Sequence, residues 1–391
     1  MQHPVLNAEV QQFIKDNTGK PVSQLALQKN PFPDVEWAVI LNQVAAREKA
    51  QGKLPRWFAA ENIIYPSKVS VEQTSSEATA KYKARLVSGE RLIDLTGGLG
   101  VDDLYFAEKC SEVVHCELDP ELSTIAAHNF RQLSVGNITC MQGDSLGILK
   151  SQNRQWDWIY IDPSRRNGAK GKVFMLADCL PDVPALLDTY FTFSANIMVK
   201  TAPLLDISAG LAELSGVKAI HVVALNNEVK ELLWLLEKDC KGTPAIHAVN
   251  LVKDNETIVS GLYGSDVTVN YSLPQEYLYE PNSAIMKSGL IDAAGHSSGL
   301  SKLHRHSQLF TSASVTEFPG RRFKIQQVLL YNKSEMKRYA EGRKMNITVR
   351  NFPVSVEELR KKWKIKDGGD VYAFFTTNMN NEKIVMICIK S

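Results

Sequence analysis

Residues 91–103 read Arg-Leu-Ile-Asp-Leu-Thr-Gly-Gly-Leu-Gly-Val-Asp-Asp, and the reading of this stretch decides the fold. Leu92 and Ile93 form a short apolar run of the kind that fills a buried parallel strand. The run ends at a carboxylate, Asp94, and passes through Thr96 into a turn holding Gly97, Gly98 and Gly100. Apolar positions resume at Val101 and continue through Leu104, Tyr105 and Phe106 in a pattern that fits a helix. Strand, glycine turn and helix in that order make a cradle, because glycine lets backbone approach a ligand and the helix start offers unpaired N–H groups. Many tight turns contain a G-x-G, so the discriminating signal lies at the ends of the later strands.

Between about residues 89 and 265 strands and helices alternate. Strand candidates fall at 91–95, 112–117, 138–142, 156–161, 195–200 and 219–225, with a late pair at 245–252 and 257–263. Helical stretches are predicted at 102–110, 120–133, 173–187 and 205–214, and another at 229–238 after the sixth strand. This alternation means βαβ units and an α/β, doubly wound parallel sheet. Ligands of such sheets lie beyond the carboxyl ends of the strands. There the second strand runs into Glu117-Leu118-Asp119-Pro120, the third into Gly143-Asp144-Ser145, and the fourth into Asp162-Pro163-Ser164-Arg165-Arg166. A carboxylate at Glu117 can accept both hydroxyls of a ribose, and one at Asp144 an exocyclic amine such as adenine N6. Each acid alone also suits a helix cap or a solvated turn. Four successive strand ends carrying an acid make coincidence a poor account.

Asp94-Leu-Thr-Gly-Gly-Leu-Gly, then Glu117-Leu-Asp-Pro, then Gly143-Asp144, then Asp162-Pro163 resembles the class I S-adenosylmethionine-dependent methyltransferases over roughly half the chain. The resemblance implies a Rossmann-like seven-stranded domain and S-adenosyl-L-methionine as cofactor. It implies Gly98 and Gly100 under the methionine part, Asp94 near its amino group, Glu117 at the ribose and Asp144 by the adenine, with Thr96, Leu118 and Ser145 as further cofactor-binding residues. Asp162-Pro163-Ser164-Arg165 is similar to the Asp/Asn-Pro-Pro-aromatic tetrad of amino-methylating enzymes, with its third and fourth positions changed. The catalytic set implied is therefore Asp162 to orient the acceptor, Pro163 and Ser164 to shape its pocket, and the Arg165 guanidinium as a stacking surface in place of the aromatic. Arg166 and Lys200, at strand ends, are candidates for substrate phosphate. Residues 71–77 are placed like the segment before the first strand in trimethylguanosine synthase-like enzymes. The whole chain resembles bacterial class I methyltransferase-like proteins with a C-terminal THUMP-like domain.

A dehydrogenase would want a small residue where Asp103 stands, and no G-x-x-x-x-G-K-[ST] run supports nucleoside triphosphate chemistry. The six cysteines are scattered without a C-x-x-C pair, which indicates neither zinc nor a disulfide framework. His296, His304 and His306 lack a partnering carboxylate or cysteine at ligand spacing, so no metal is expected. With no apolar run long enough for a bilayer and a polar start, a cytoplasmic protein free of membrane is expected.

Charge is uneven along the chain. Residues 301–391 hold 18 Lys+Arg against 8 Asp+Glu, a balance of +10, whereas residues 1–300 hold 27 against 35, or −8. The sequence thus divides into a helical region (1–88), the methyltransferase domain (89–265), a connecting subdomain (266–320) with one short helix at 285–293, and a basic α+β domain (321–391). In the helical region Asp34 is the expected cap of a helix through 35–41, and a second helix is expected at 75–86. The last domain reads strand 322–330, helix 333–340, strand 346–351, helix 356–363 and a hairpin of 371–377 with 383–389. Its basic face, with Arg321 and Arg322 in front, points to RNA as partner and methyl acceptor. The alternatives are a small-molecule or protein acceptor, or a non-catalytic adaptor. Oligomeric state is not encoded in these patterns.

Overall fold

Ahead of the first strand the chain is helical: α1 (Ala8–Asp16), α2 (Val22–Leu25), α3 (Trp37–Lys53), α4 (Pro55–Ala59), α5 (Lys68–Gln73) and α6 (Glu77–Ala84). The computed structural model describes residues 3–165, 175–253 and 255–391, with backbone alone at 69, 70 and 165. Asp34 does not cap α3, which starts two residues after the expected point from Glu36 without a side-chain cap. Asn30 captures that segment instead, accepting from Phe32 N at 2.9 Å and donating to Val35 O at 2.8 Å. The second helix is capped as its sequence suggests, by a reciprocal Ser76–Thr79 box. Ile40, Val44, Ala46 and Trp57 of α3 and α4 share one buried core with Leu92, Leu104, Phe106 and Tyr160. Burial on this scale, at about 25 cal/mol per Å² of apolar surface, is what holds short helices in place.

The chain then alternates, with one helix, α9, that the sequence reading did not include: β1 (Arg91–Asp94), α7 (Val101–Phe106), β2 (Glu112–Glu117), α8 (Pro120–Gln132), β3 (Ile138–Gln142), α9 (Ser145–Gln152) and β4 (Trp158–Ile161). After a two-residue strand β5 (Ser164–Arg165) and its partner β6 (Cys179–Leu180) come α10 (Val183–Tyr190), β7 (Asn196–Thr201) and α11 (Ile207–Glu213). The helix expected at 173–187 begins outside the described residues. Within them a 3-10 turn and β6 occupy 176–180, and the helix starts only at Val183, where Asp182 caps it.

Two compact units are present, one of residues up to Lys218 with Leu233–Lys241, the other of Ala219–Leu232 with Gly242–Ser391. In the first the order is β3-β2-β1-β4-β7, every pairing parallel. The chain runs outward from β1 to β3 and returns on the other side of β1 with β4. The carboxyl ends of β1 and β4 therefore form the switch point at which such sheets bind ligands.

β8 (Val217–Leu225) is followed by β9 (Glu228–Glu237), a strand where the sequence reading expected the helix 229–238. The run Leu232-Leu233-Trp234-Leu235-Leu236 fits either state. The decision is made by Asn226 and Asn227, whose φ of 51° and 66° suit a two-residue hairpin turn with the twist that strands need.

In the second unit, β8 from Ala219 on lies parallel to β10 (Ala245–Val252), which pairs antiparallel with β11 (Asn255–Leu262). There follow β12 (Tyr277–Pro281), α12 (Ser283–Ser288), α13 (Ile291–Ser297), β13 (Ser301–Lys302), β14 (Phe310–Ser312), β15 (Gly320–Leu330), α14 (Lys333–Tyr339), β16 (Asn346–Val349), α15 (Val356–Trp363), β17 (Val371–Thr377) and β18 (Lys383–Lys390). The single helix expected at 285–293 is two helices, because Gly289 at φ 80° ends the first. The seven-stranded sheet runs β13-β14-β12-β15-β18-β17-β16. Met336, Met345, Leu359, Trp363, Phe375 and Val385 fill one of its cores. Among the described residues no helix is long and apolar enough to cross a membrane.

The hairpin turn gives a direct test. Asn226→Val places a β-branched residue in the left-handed region and should lower stability by about 1–2 kcal/mol, whereas Asn226→Gly should not. Urea denaturation of the two variants separates them.

Candidate active site

The site is assembled from strand ends. At the end of β1, Asp94 is 2% exposed, and its Oδ1 accepts from Thr96 N at 2.7 Å and Thr96 Oγ1 at 3.0 Å. The Thr96 hydroxyl in turn accepts from Asp162 N at 2.7 Å. Gly97 N donates to Cys116 O at 2.9 Å, which ties the turn to β2. Two of the glycines are sterically required. A Cβ on Gly97 would lie 2.2 Å from His115 Cε1, and one on Gly100, at φ 77°, 2.2 Å from Phe130 Cζ.

Glu117 closes over this turn, its Oε2 accepting from Gly98 N and its Oε1 from Asp119 N, both at 2.8 Å. Beside it Leu118 is 71% exposed, an apolar surface left open at the mouth of the sheet. Asp144 caps α9 by accepting from Gly147 N at 2.8 Å, and Ser145 is the first residue of that helix. Gly143 N reaches Glu117 O at 2.9 Å, so the ends of β2 and β3 are joined as well. Asp162 follows β4 with its carboxylate paired to the Lys200 ammonium of β7. Pro163 is buried and Ser164 exposed. The structure thus brings Asp94, Thr96, Gly98, Gly100, Glu117, Asp162 and Lys200 together, with Leu118, Asp144, Ser145, Pro163 and Ser164 at the adjoining strand ends. Of Arg165 the backbone alone is described, paired with Cys179, and Arg166 lies outside the described residues.

Arg321 and Arg322 belong to the second unit. Arg321 is not an open cation: Glu280, 2% exposed, accepts from its Nε at 2.8 Å and also from Arg350 Nη2 at 2.9 Å. Arg322 is half-buried and donates to Ser391 Oγ at 3.3 Å.

Sequence reasoning missed two buried clusters. Under the glycine turn, Asp103 and His115 are both 0% exposed, with Nδ1 2.6 Å from Oδ2. Burial, and then the neighbouring Asp103 carboxyl, push the Asp94 carboxyl well above the usual carboxylate range. Asp103 is raised likewise by burial and then by Asp102, while burial pushes His115 down. Behind the first turn of α7, Asp102 Oδ2 accepts from Tyr160 Oη at 2.7 Å and Ser75 Oγ at 2.8 Å. Its Oδ1 is 3.2 Å from the Lys83 ammonium, whose side chain is 0% exposed. Burial opposes ionisation of Asp102, yet Lys83 first and Lys200 next bring it below the ordinary range. The available signal was polarity out of place: a histidine inside an apolar strand and an Asp-Asp pair opening an apolar helix.

A glycine turn seated on the His115 and Phe130 rings, a carboxylate fixed above it and an exposed leucine beside that carboxylate fit an adenosyl cofactor. With the switch-point topology they define a class I S-adenosylmethionine-dependent methyltransferase. Residues 320–390 match the THUMP domain-like family model, and 277–319 a ferredoxin-like domain. The crystal structure of a candidate methyltransferase from Porphyromonas gingivalis W83 is similar over 98% of both chains, with 30% identity and a TM-score of 0.86. Two uncharacterised S-adenosylmethionine-dependent methyltransferases of Mycobacterium tuberculosis, strains CDC 1551 and H37Rv, are 22% identical over 303 residues, 76% of this chain and 80% of theirs. The chain belongs to this family of S-adenosylmethionine-dependent methyltransferases with a C-terminal THUMP-like domain.

Two outcomes are expected. Gly97→Ala should abolish calorimetric binding of S-adenosylmethionine, and adding His115→Ala, which removes the clashing ring, should restore part of it. Asp94→Asn keeps the acceptor for Thr96 without the charge. A raised folded pKa means that the native state holds the proton more tightly than the unfolded chain, so stability falls as pH rises from about 4 through the folded pKa. Denaturation across pH should therefore show Asp94→Asn gaining on the wild type above about pH 4 and losing that advantage below it.

Proposed function

We propose that this methyltransferase modifies an exocyclic amine of an RNA base. The observation that carries the proposal is the placement of Asp162, with its backbone N–H on Thr96 and its carboxylate on Lys200 at the switch point. The Asp-Pro pair there is the part of the amino-methylating tetrad that this chain retains. When bound, S-adenosylmethionine supplies an electrophilic methyl group on a sulfonium sulfur. Asp94 would face its amino group, Thr96, Gly98 and Gly100 would line the methionine part, and Glu117 would exchange its backbone partners for ribose hydroxyls. Leu118 would lie against the adenine, with Asp144 and Ser145 at its edge. Asp162 would accept a hydrogen bond from the acceptor N–H, direct the nitrogen lone pair toward the methyl carbon and take up the released proton. Lys200 fixes the direction of that carboxylate and balances its charge. Positioning of this kind is the main lever a methyltransferase has over its rate.

RNA as the acceptor is supported by the THUMP-like match at 320–390 and the +10 balance beyond residue 300. The division we propose assigns the chemistry to residues 89–265 and RNA capture to 321–391, with 1–88 as a helical brace and 266–320 as a connector.

The test is transfer of a tritiated methyl group into fractionated cellular RNA, protein and metabolites. Label should enter RNA and be recovered in an N-methylated nucleoside; label confined to protein or metabolites would overturn the reading. Asp162→Ala should lose turnover with little change in cofactor affinity. Glu117→Ala should instead weaken cofactor binding by about 1–3 kcal/mol, the cost of unpaired polar groups.

A further inference from the structure

Lysines are numerous in the last 70 residues, and those around one depression have a particular setting. It has a volume of about 550 Å³ and is lined by Tyr331, Lys333, Lys337, Glu341, Lys362 and Trp363. Tyr331 and Trp363 form an aromatic corner, their rings 6.3 Å apart at 88°, with Trp363 Nε1 3.3 Å from Tyr331 Oη. The Lys362 ammonium lies 5.5 Å and 5.2 Å from the two ring centroids and 3.3 Å from the same hydroxyl. Lys333 and Lys337 are exposed and one turn apart on α14. Arginines 321, 350 and 360 of this unit are each held by a carboxylate. No ion pair among the described residues uses Lys333, Lys337 or Lys362.

Three features together narrow the ligand. Open cations at spacing along a helix call for an anion. An aromatic corner covered by a long, flexible ammonium calls for a flat group that can displace it, since base–aromatic stacking is sequence-tolerant and worth about 1–3 kcal/mol per base. A lone carboxylate, Glu341, in an otherwise basic depression repels a purely anionic ligand and accepts from a ligand that also carries donors. A nucleotide has all three parts. In a duplex the base faces are stacked away, so the ligand is single-stranded.

We propose that this depression binds one nucleotide of a single-stranded RNA. Its base lies against Tyr331 and Trp363 where Lys362 now rests, its phosphate lies between Lys333 and Lys337, and Glu341 accepts from the base amine or the 2′-hydroxyl. The assignment rests on RNA being the methyl acceptor and adds to that reading the place where RNA is held. Arg321, with its charge closed by Glu280, is no part of this site.

The experiment uses the full-length protein and a mixed-sequence RNA oligonucleotide carrying 4-thiouridine, in single-stranded form and annealed to its complement. Filter binding over a salt series is followed by photocrosslinking and peptide mapping. Preference for the single strand is expected, with the crosslink on a peptide containing Tyr331 or Trp363. Lys333→Glu and Lys337→Glu alter exposed side chains and should leave folding intact. Each should weaken binding about tenfold and flatten the salt dependence by about 0.7 log units per log unit of salt. Binding with wild-type strength by both variants, with crosslinks elsewhere, overturns the site and leaves RNA as substrate. Absence of RNA binding at low salt overturns both. Polyglutamate competing as well as RNA at equal charge overturns the nucleotide and points to an acidic protein partner.

Discussion

The hydroxyl of Thr96 joins the two strand ends on which the catalytic face depends. It donates to Asp94 at the end of β1 and accepts from the backbone of Asp162 after β4. From there the strand ends are linked in turn. Gly97 N bonds to Cys116 O, Glu117 reaches Gly98 N, and Gly143 N returns to Glu117 O. The carboxylates of Asp94 and Glu117 thus act together with backbone N–H groups in holding four strand ends at fixed separations. A cofactor entering this mouth meets groups whose directions are already set, and preorganisation of this kind lowers the cost of ordering them on binding.

Behind that face the protein tolerates an expensive arrangement. Lys83 and Asp102 are buried together, and Asp94, Asp103 and His115 are buried beside them. Taking such groups out of water costs several kcal/mol each unless partners replace the lost hydration. Tyr160 and Ser75 supply partners to Asp102. The pair Lys83–Asp102 joins α6 of the helical preface to the first turn of α7. A hydrophobic pair of the same shape would stabilise as well or better, but it would not specify one register between the two helices.

How much of this is legible in the sequence depends on the range of the interaction concerned. Strands β2, β3 and β10 have the predicted bounds; β2 and β10 are largely buried, and such strands are written locally as apolar runs. The Ser76–Thr79 box is local too. The misreading of β9 came from an apolar run without periodicity, where two asparagines at positive φ carried the decision and their preference for that region is weaker than glycine's. Arg321 is neutralised by Glu280, 41 residues away, and no local pattern announces that pairing. The strand-end acids were visible, since each stands at a boundary that composition marks. The Asp103–His115 contact was not, because it forms only when β2 is laid beside β1.

The route of the chain through its two units bears on how such a protein is inherited. The backbone changes unit after Lys218, after Leu232 and after Lys241, twice of these within strands. A module added by gene fusion joins its host at one seam and can be exchanged by one crossover. Here a single breakpoint anywhere between the units would divide the β8–β9 hairpin or strand a remnant of it. The crossings all fall between residues 218 and 242, so this constraint acts on the β8–β9 stretch, while residues 320–390 lie wholly in the second unit.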